Sequence, residues 1–557
     1  MNKNEISKYN VIIILADSAR YYSTGGKDDR DKLEMMNKFA EESIYFTTAV
    51  STAPSSIMSV SSMLTSLSSY YIASNYVDFI FDEKKYNSIT GILKSKGYEV
   101  QSIQNARETR ERFDTLLPHV PKRFWPKGLK NSEKNWSNKN VNKVLHNYIS
   151  NRKSDKPLFL FLFYNLRHDP NTSKEVERGI SMLKEYIDWD NSIVFLGSDH
   201  GYMDPKRGYT PEGLQAIGLG HDLVMSDDNI RIPFYLKYPG FKPDNINEPV
   251  STLDIVPTIL FLLGIEQETN HNIEMMGDSL LPLINKKQSA LKYFKERKIR
   301  TDGRFFAQAA RSTSIRDAKY KFVTRPDMNI EEFYDLENDE WEMNNLIDDE
   351  HLQTIIDEFR IFYIDSEKKA IIFQIDKIKQ RIKAELQFYT PKNNENILIY
   401  GFGEPYYCET VIMALKDIYS SVKLILLIDG NQKSNRVFDK SRDNSTIVKY
   451  FIENHMYQLD GAKQVITNNI GLAIILGRKN DLGNYKKHYY LLEKIVNPKL
   501  RIFLDINTNI GIKNNFSNLI KYLNVRKNYF FKNPDAIFRI MLKIFRRIYK
   551  KSKFNNA

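Results

Sequence analysis

Short apolar runs and helix-periodic stretches alternate along the first half of this chain. Residues 11–15, 158–163 and 193–196 are unbroken apolar runs closed by polar residues, too short for helices and typical of strands covered on both faces. Residues 32–42 and 88–96 instead carry apolar positions at helical spacing, and residues 99–103 read as a strand after a turn at Gly97. This alternation predicts an α/β fold, a mainly parallel sheet with helices on both faces. In open sheets of that kind ligands gather beyond the carboxyl ends of the strands. The residues just after each strand are therefore the ones to weigh for chemistry.

The second half repeats the theme on a smaller scale. A charged helical stretch over residues 349–386 reads as a spacer. It is followed by a strand that runs into Gly401-Phe-Gly403, a helix over 410–416, and strands at 422–428, 472–476 and 501–504. The expected organisation is a catalytic domain over 1–350, a helical linker over 351–390, a Rossmann-like domain over 391–533 and a basic helix over 534–557. That last helix carries Ile537, Ile540, Met541, Ile544 and Ile548 on one face and cations opposite. It either docks on the second domain or attaches peripherally to an anionic membrane.

Composition narrows the picture. The chain has 557 residues, enough for two domains, and its 42% hydrophobic and 27% charged content is that of a globular protein. The net charge is +12, but much of the excess lies in the last helix, including Arg539, Lys543, Arg546 and Arg547. The charge therefore says little about the catalytic half, and no nucleic-acid partner is expected. Cys408 is the single cysteine, which precludes an internal disulfide and fits a reducing compartment. There is no secretory h-region and no apolar run long enough to span a bilayer, so the expected location is cytoplasmic, with peripheral contact at the inner membrane face.

Three segments carry candidate chemistry. The first strand ends in Asp17-Ser-Ala-Arg20, a carboxylate for a cation and an arginine for an oxyanion, or simply a cap with a solvent-facing arginine. The strand at 193–196 ends in Gly197-Ser-Asp199-His200-Gly201, one hard oxygen and one imidazole, a pairing suited to Zn²⁺ or Mn²⁺. Between them, residues 52–65 form a hydroxyl-rich run that enters a helix, where anions and a developing alkoxide are favoured. His168 and His221 lie in loops after strands, and either could bind the transferred group or protonate a leaving oxygen.

Taken in order, these segments resemble the sulfatase branch of the alkaline phosphatase superfamily. Leu93-Lys-Ser-Lys-Gly-Tyr98, Arg231-Ile-Pro-Phe-Tyr-Leu-Lys-Tyr-Pro-Gly240, Ser251-Thr-Leu-Asp-Ile-Val-Pro-Thr-Ile-Leu260 and Gly277-Asp-Ser-Leu-Leu-Pro-Leu283 are similar to family motifs. The matches run in family order from about residue 9 to 350. The resemblance implies a central mixed sheet flanked by helices. It also implies one divalent metal (Zn, Mn, Mg or Ca) on Asp17, Asp199 and His200, with Arg20 beside it and His168 and His221 facing substrate. The family nucleophile stands nine residues before a Thr-Gly; here Thr65-Ser66 holds that place, which selects Ser56, while a gapped reading selects Thr52.

Ser56 also begins a run similar to the nucleophile helix of phosphoethanolamine transferases. Two departures matter: Met58 and Val60 replace the Pro and Arg that formylglycine conversion needs, and Ser18 replaces a second metal-site aspartate. The implied activity is phosphoester hydrolysis or phosphoryl transfer on a glycan or lipid-linked intermediate, through a metal-activated Ser56. A sulfate ester hydrolase lacking formylglycine and a non-catalytic binding protein are the alternatives. In the second domain, Gly401, Gly403 and Asp429 resemble the glycine turn and second-strand acid of nucleotide-binding folds, although the third glycine is absent. That resemblance implies a nucleotide or nucleotide-sugar ligand.

Overall fold

The apolar run at residues 11–15 lies inside strand β1 (Asn10–Asp17), whose Val11, Ile12 and Ile13 are fully buried. A strand covered on both faces has no polar alternation to maintain, so its sequence reads as continuous aliphatics. In the computed structural model, β1 is followed by β2 (Ile44–Phe46), β3 (Ala49–Val50), β4 (Glu99–Gln104), β5 (Leu158–Asn165) and β6 (Ser192–Gly197). Next come β7 (Arg231–Ile232), β8 (Phe234–Lys237), β9 (Asp244–Ile246) and β10 (Val250–Ser251). Seven of them form one sheet in the order β4-β5-β1-β6-β8-β2-β9. β4, β5, β1 and β6 run parallel, whereas β8 is antiparallel to both β6 and β2. β2 pairs with β9 in parallel and runs with β6, so the sheet is mixed through β8, the one strand of the seven that runs against the rest.

Side-chain parity divides the core. Ile12, Ile14, Leu160, Leu162 and Leu196 point to one face, where Phe39 of helix α1 (Glu34–Glu41), Leu145 of helix Asn138–Ser150 and Leu183 of helix Thr172–Tyr186 close over them. Helix α2 (Ser56–Thr65) is buried from Ile57 to Thr65, with Ser56 the one residue left half-exposed. Helix Ile255–Leu263 packs beside α2 and is itself almost wholly buried.

A second sheet follows, made of β11 (Ile299–Phe305), β12 (Ala310–Arg316), β13 (Tyr320–Arg325) and β14 (Ile330–Asp335) in a simple antiparallel order. A helix over 353–367 covers it, burying Ile356 and Phe359 against Ile315, Phe322 and Phe333. The chain divides into units Met1–Ala370 and Ile371–Ala557. The first half of the stretch expected to be a spacer therefore belongs to the core of the first unit.

The second unit has one six-stranded sheet. Its strands are β15 (Asn396–Gly401), β16 (Leu424–Asp429), β17 (Thr446–Glu453), β18 (Met456–Leu459), β19 (Ile470–Gly477) and β20 (Leu500–Asp505), in the order β18-β17-β16-β15-β19-β20. All pair in parallel except β18, which forms an antiparallel edge. The structure describes residues 8–21, 34–68, 88–104, 138–165, 172–202, 224–265, 275–305, 310–325, 330–367 and 369, and in the second unit these strands with 415–416 and 418–419. The basic helix expected over 534–557 lies outside the described residues, as do His168, His221 and Gly403. Among the described residues no helix is long and apolar enough to cross a membrane.

Candidate metal centre and nucleophile

Strand register brings the acidic residues together. Leu15 of β1 pairs with Gly197 of β6, so the chain leaves β6 into Ser198-Asp199-His200 alongside Asp17 at the tip of β1. One ligand atom from each of Asp17, Asp199 and His200 lies within 4.8 Å of the others. His200 Nε2 is 3.6 Å from Asp17 Oδ1 and 3.7 Å from Asp199 Oδ2. Ser56, at the first position of α2, places its Oγ 3.3 Å from His200 Nε2 and 3.5 Å from Asp17 Oδ1. The hydroxyl of the alternative, Thr52, is buried and makes no hydrogen bond among the described residues.

The donor set fits a divalent cation. Asp199 is fully buried, and its Oδ2 has no hydrogen-bond partner among the described residues, a costly arrangement for a carboxylate unless a cation completes it. Its other oxygen, Oδ1, accepts from the backbone N–H of His200 at 3.0 Å and of Ser18 at 3.3 Å, which fixes the side chain. His200 Nδ1 lies 2.7 Å from the carbonyl of Gly201. A carbonyl only accepts, so Nδ1 carries the proton and Nε2 keeps its lone pair toward Asp17 and Ser56. Two carboxylates and one imidazole match the preferences of Zn²⁺ or Mn²⁺.

Small side chains hold this geometry. A Cβ on Gly201 would meet Asp228 O at 2.2 Å, and one on Gly197 would meet Pro233 O at 2.6 Å. The two glycines flanking Ser198-Asp199-His200 are thus required by close backbone approach. Ser198 Oγ accepts from Ala19 N at 3.0 Å and lies 2.7 Å from Ala16 O, tying the tips of β1 and β6. Ser59, one turn after Ser56, donates to the Asp199 carbonyl at 2.6 Å and sits 2.9 Å from Ser51 Oγ. Helix α2 is in this way bolted to the loop that carries Asp199 and His200. Ser18 adopts φ 64°, a left-handed conformation uncommon outside glycine, and donates to Asp17 Oδ1 at 2.9 Å.

A buried ionic group supports the same loop from behind. Gly201 N and Tyr202 N donate to the carbonyls of Asn229 and Asp228, at 2.8 and 2.9 Å. The adjacent Asp227 is held by Arg316 at 2.8 Å and Lys321 at 2.7 Å, and Lys321 also pairs with Glu342; all four are buried. Burial alone would push the Asp227 carboxyl up, but Arg316, Lys321 and Arg231 outweigh it and hold that carboxyl well below the usual range. Arg20, expected beside the substrate, donates Nε to the Tyr202 carbonyl at 2.6 Å, so that nitrogen braces the loop. Arg231 stacks 4.1 Å over the Tyr21 ring, and Asp254, in the family-like segment 251–260, closes a capping box with Ser251 and pairs with Arg297. These contacts make Asp254 a structural residue. Sequence reasoning missed Ser51, Ser59, Ser198 and the Asp227 group; only the hydroxyl-rich run offered a signal for any of them.

Two family models match this chain. One is described as Sulfatase, over residues 9–179 and 171–265, and the other as N-sulphoglucosamine sulphohydrolase, C-terminal, over 219–368. The steryl-sulfatase of Rattus norvegicus is 28% identical over 159 residues, 24% of this chain and 27% of the relative. The ulvan-active sulfatase of Formosa agariphila is 22% identical over 404 residues, 61% of this chain and 76% of the relative. This chain therefore spans just over a quarter of the first relative's length and about three quarters of the second's. Among solved structures, the phosphonate monoester hydrolase SpPMH from Silicibacter pomeroyi aligns with a TM-score of 0.51 at 14% identity, over 65% of this chain and 96% of that one. At that identity the likeness speaks for the fold alone. The two sulfatase models follow each other across residues 9–368, from β1 through the four-stranded sheet and its covering helix, and so this part of the chain belongs to the sulfatase family.

Proposed function

We propose that the first unit is a metal-dependent hydrolase of sulfate esters in which unmodified Ser56 is the nucleophile. The observation that carries this reading is the Ser56 hydroxyl, half-exposed at the start of α2 and within 3.5 Å of both Asp17 and His200. Asp17, Asp199 and His200 would hold the divalent cation, which when bound supplies positive charge that favours an alkoxide and an anionic ester. Ser55 supplies no side-chain cap to α2, and the N–H groups of a helix's first turn favour negative charge at the same place.

Ser56 gives its proton to solvent water, its oxygen bonds to sulfur, and the bond from sulfur to the ester oxygen breaks. The departing alcohol takes a proton from His168 or His221, roles that rest on the family resemblance. Water then attacks sulfur, releasing sulfate and restoring the serine hydroxyl. Sulfate esters come first because the family models covering the unit are sulfatase models. A second reading, phosphate esters, is favoured by one observation: Met58 and Val60 stand where formylglycine conversion needs Pro and Arg. A serine ester must then be released by direct attack at its central atom, chemistry that phosphorus also supports.

Parallel assays of p-nitrophenyl sulfate, phosphate and a phosphodiester, with Mn²⁺ or Zn²⁺ added, should give the highest kcat/KM for the sulfate. A higher value for either phosphorus ester would move the assignment to the second reading. Ser56→Ala should lower kcat by about four orders of magnitude with an unchanged circular-dichroism spectrum. Retained turnover in that variant would remove Ser56 from the reaction.

A further inference from the structure

The second unit plays no part in the chemistry above, yet its strand order is specific. Its five parallel strands, counted along the chain as β15, β16, β17, β19 and β20, lie in the order 3-2-1-4-5. From the central β15 the chain moves outward through β16 and β17 on one side, then returns to β19 and β20 on the other. The direction reverses between β15 and β19. In open parallel sheets ligands occupy the crevice at the carboxyl ends of the strands at that reversal.

The residues that the topology brings to this edge are not arbitrary. β15 ends in Gly401, which pairs with Leu476 of β19, and β19 itself ends in Gly477. Two glycines therefore stand at the strand ends that border the reversal, and a glycine leaves room for a ligand to approach the backbone. β16 ends in Asp429; with Tyr400 opposite Leu427, this acid lies at the same edge, one strand away from Gly401. Adjacent strands are about 4.8 Å apart, so the strand ends fall within the reach of one nucleoside. An acid at the end of the second strand is where doubly wound folds engage ribose hydroxyls.

We infer that the second unit binds a ribonucleotide at the carboxyl ends of β15, β16 and β19, the edge at which Gly401, Gly477 and Asp429 stand. An adenine dinucleotide, S-adenosylmethionine and a uridine diphosphate sugar share a ribose diol. Titration calorimetry on the full chain with NAD⁺, S-adenosylmethionine and UDP-N-acetylglucosamine distinguishes these sources. One of them should bind with Kd below about 1 mM, and its 2′-deoxyribose analogue should bind about tenfold more weakly. Asp429→Asn should weaken the natural ligand by a similar factor, whereas Asp505→Asn, at the end of β20 beyond β19, should leave it unchanged. Binding by none of the three, equal binding of the deoxy analogue, or equal loss in the Asp505 variant overturns the assignment. Should Asp429→Asn fail to fold, the comparison of ribose and deoxyribose ligands on the wild-type chain decides.

Discussion

Asp199 concentrates the conflict between stability and function in one side chain. Without a cation it buries a carboxylate oxygen that no described residue hydrogen-bonds, close to a second acid, Asp17. Asp199→Asn removes the charge while keeping an oxygen for the backbone N–H groups of Ser18 and His200. In EDTA this variant should match or exceed the wild type in stability, by up to about 1 kcal/mol, because the uncompensated charge is gone. In Mn²⁺ or Zn²⁺ the order should invert, since only the wild type gains from the ligand. Thermal melts with and without metal check both halves, and equal metal-induced shifts in the two proteins would remove Asp199 from the ligand set. At this scale the sequence was informative wherever a residue ends a strand. Asp17, Asp199 and His200 could be read because each follows an apolar run whose end the register then aligns. Ser198 and Gly201 could not be assigned, because what they do depends on backbone groups some 180 and 27 residues away along the chain, Ala16 and Asp228.

Helix α2 shows why an element needs its neighbours. α2 has no acidic residue in its first turn and no side-chain cap, so its own sequence gives it little capping stability. Tertiary hydrogen bonds hold it instead, chiefly Ser59 to the Asp199 carbonyl. Ser59→Ala leaves that buried carbonyl with one donor fewer and should lower stability by about 1–2 kcal/mol. It should also cut kcat more than it raises KM, since the distance from Ser56 to His200 is what Ser59 fixes. Steady-state kinetics beside urea melts test this; a stability loss with unaltered kcat would limit Ser59 to packing. β1, β5 and β6 were legible as elements because both their faces are apolar. The sheet β11–β14 was not, because its buried positions include Thr301, Asp302, Ser312, Ser314, Arg316 and Lys321. Asp302, Arg316 and Lys321 are held there by ion pairs, such as Arg300 with Asp302, and Thr301 donates to the Ser51 carbonyl, so the strands carry no hydrophobic period to read.

At the scale of the whole molecule, the buried charges of the first unit govern its response to acid. The folded-state pKa of Asp227 lies below its unfolded value, so its contribution is complete above the unfolded carboxylate pKa near 4 and falls as pH drops below it. Asp227→Asn takes from Arg316 its buried carboxylate and from Lys321 one of two, and should cost about 3–5 kcal/mol near neutral pH. The gap between the variant and the wild type should then narrow by up to about 1.4 kcal/mol per pH unit below pH 4. Urea titrations across pH 3–7 measure it, and a pH-independent gap would mean that Asp227 acts through packing.

The division at 370/371 sets the last expectation. The apolar clusters around β1 and β5, around Val50 and Ile299, and around Phe333 and Phe359 all draw their members from residues before 370. The ligand residues, Ser56 and the Asp227 group lie there too. A unit with its own core and its own site has no need of the other for folding. A chain ending at Ala370 should therefore unfold in one cooperative urea transition and hydrolyse the same p-nitrophenyl ester with kcat within about twofold of the full chain. The helix over 353–367 makes the choice of end point sharp. Stopping at residue 350, where the sequence alone placed the boundary, strips Ile356 and Phe359 from Phe333 and should cost about 2–5 kcal/mol for each large side chain removed. If the chain ending at residue 350 were as stable as the one ending at Ala370, that helix would lie outside the folding unit.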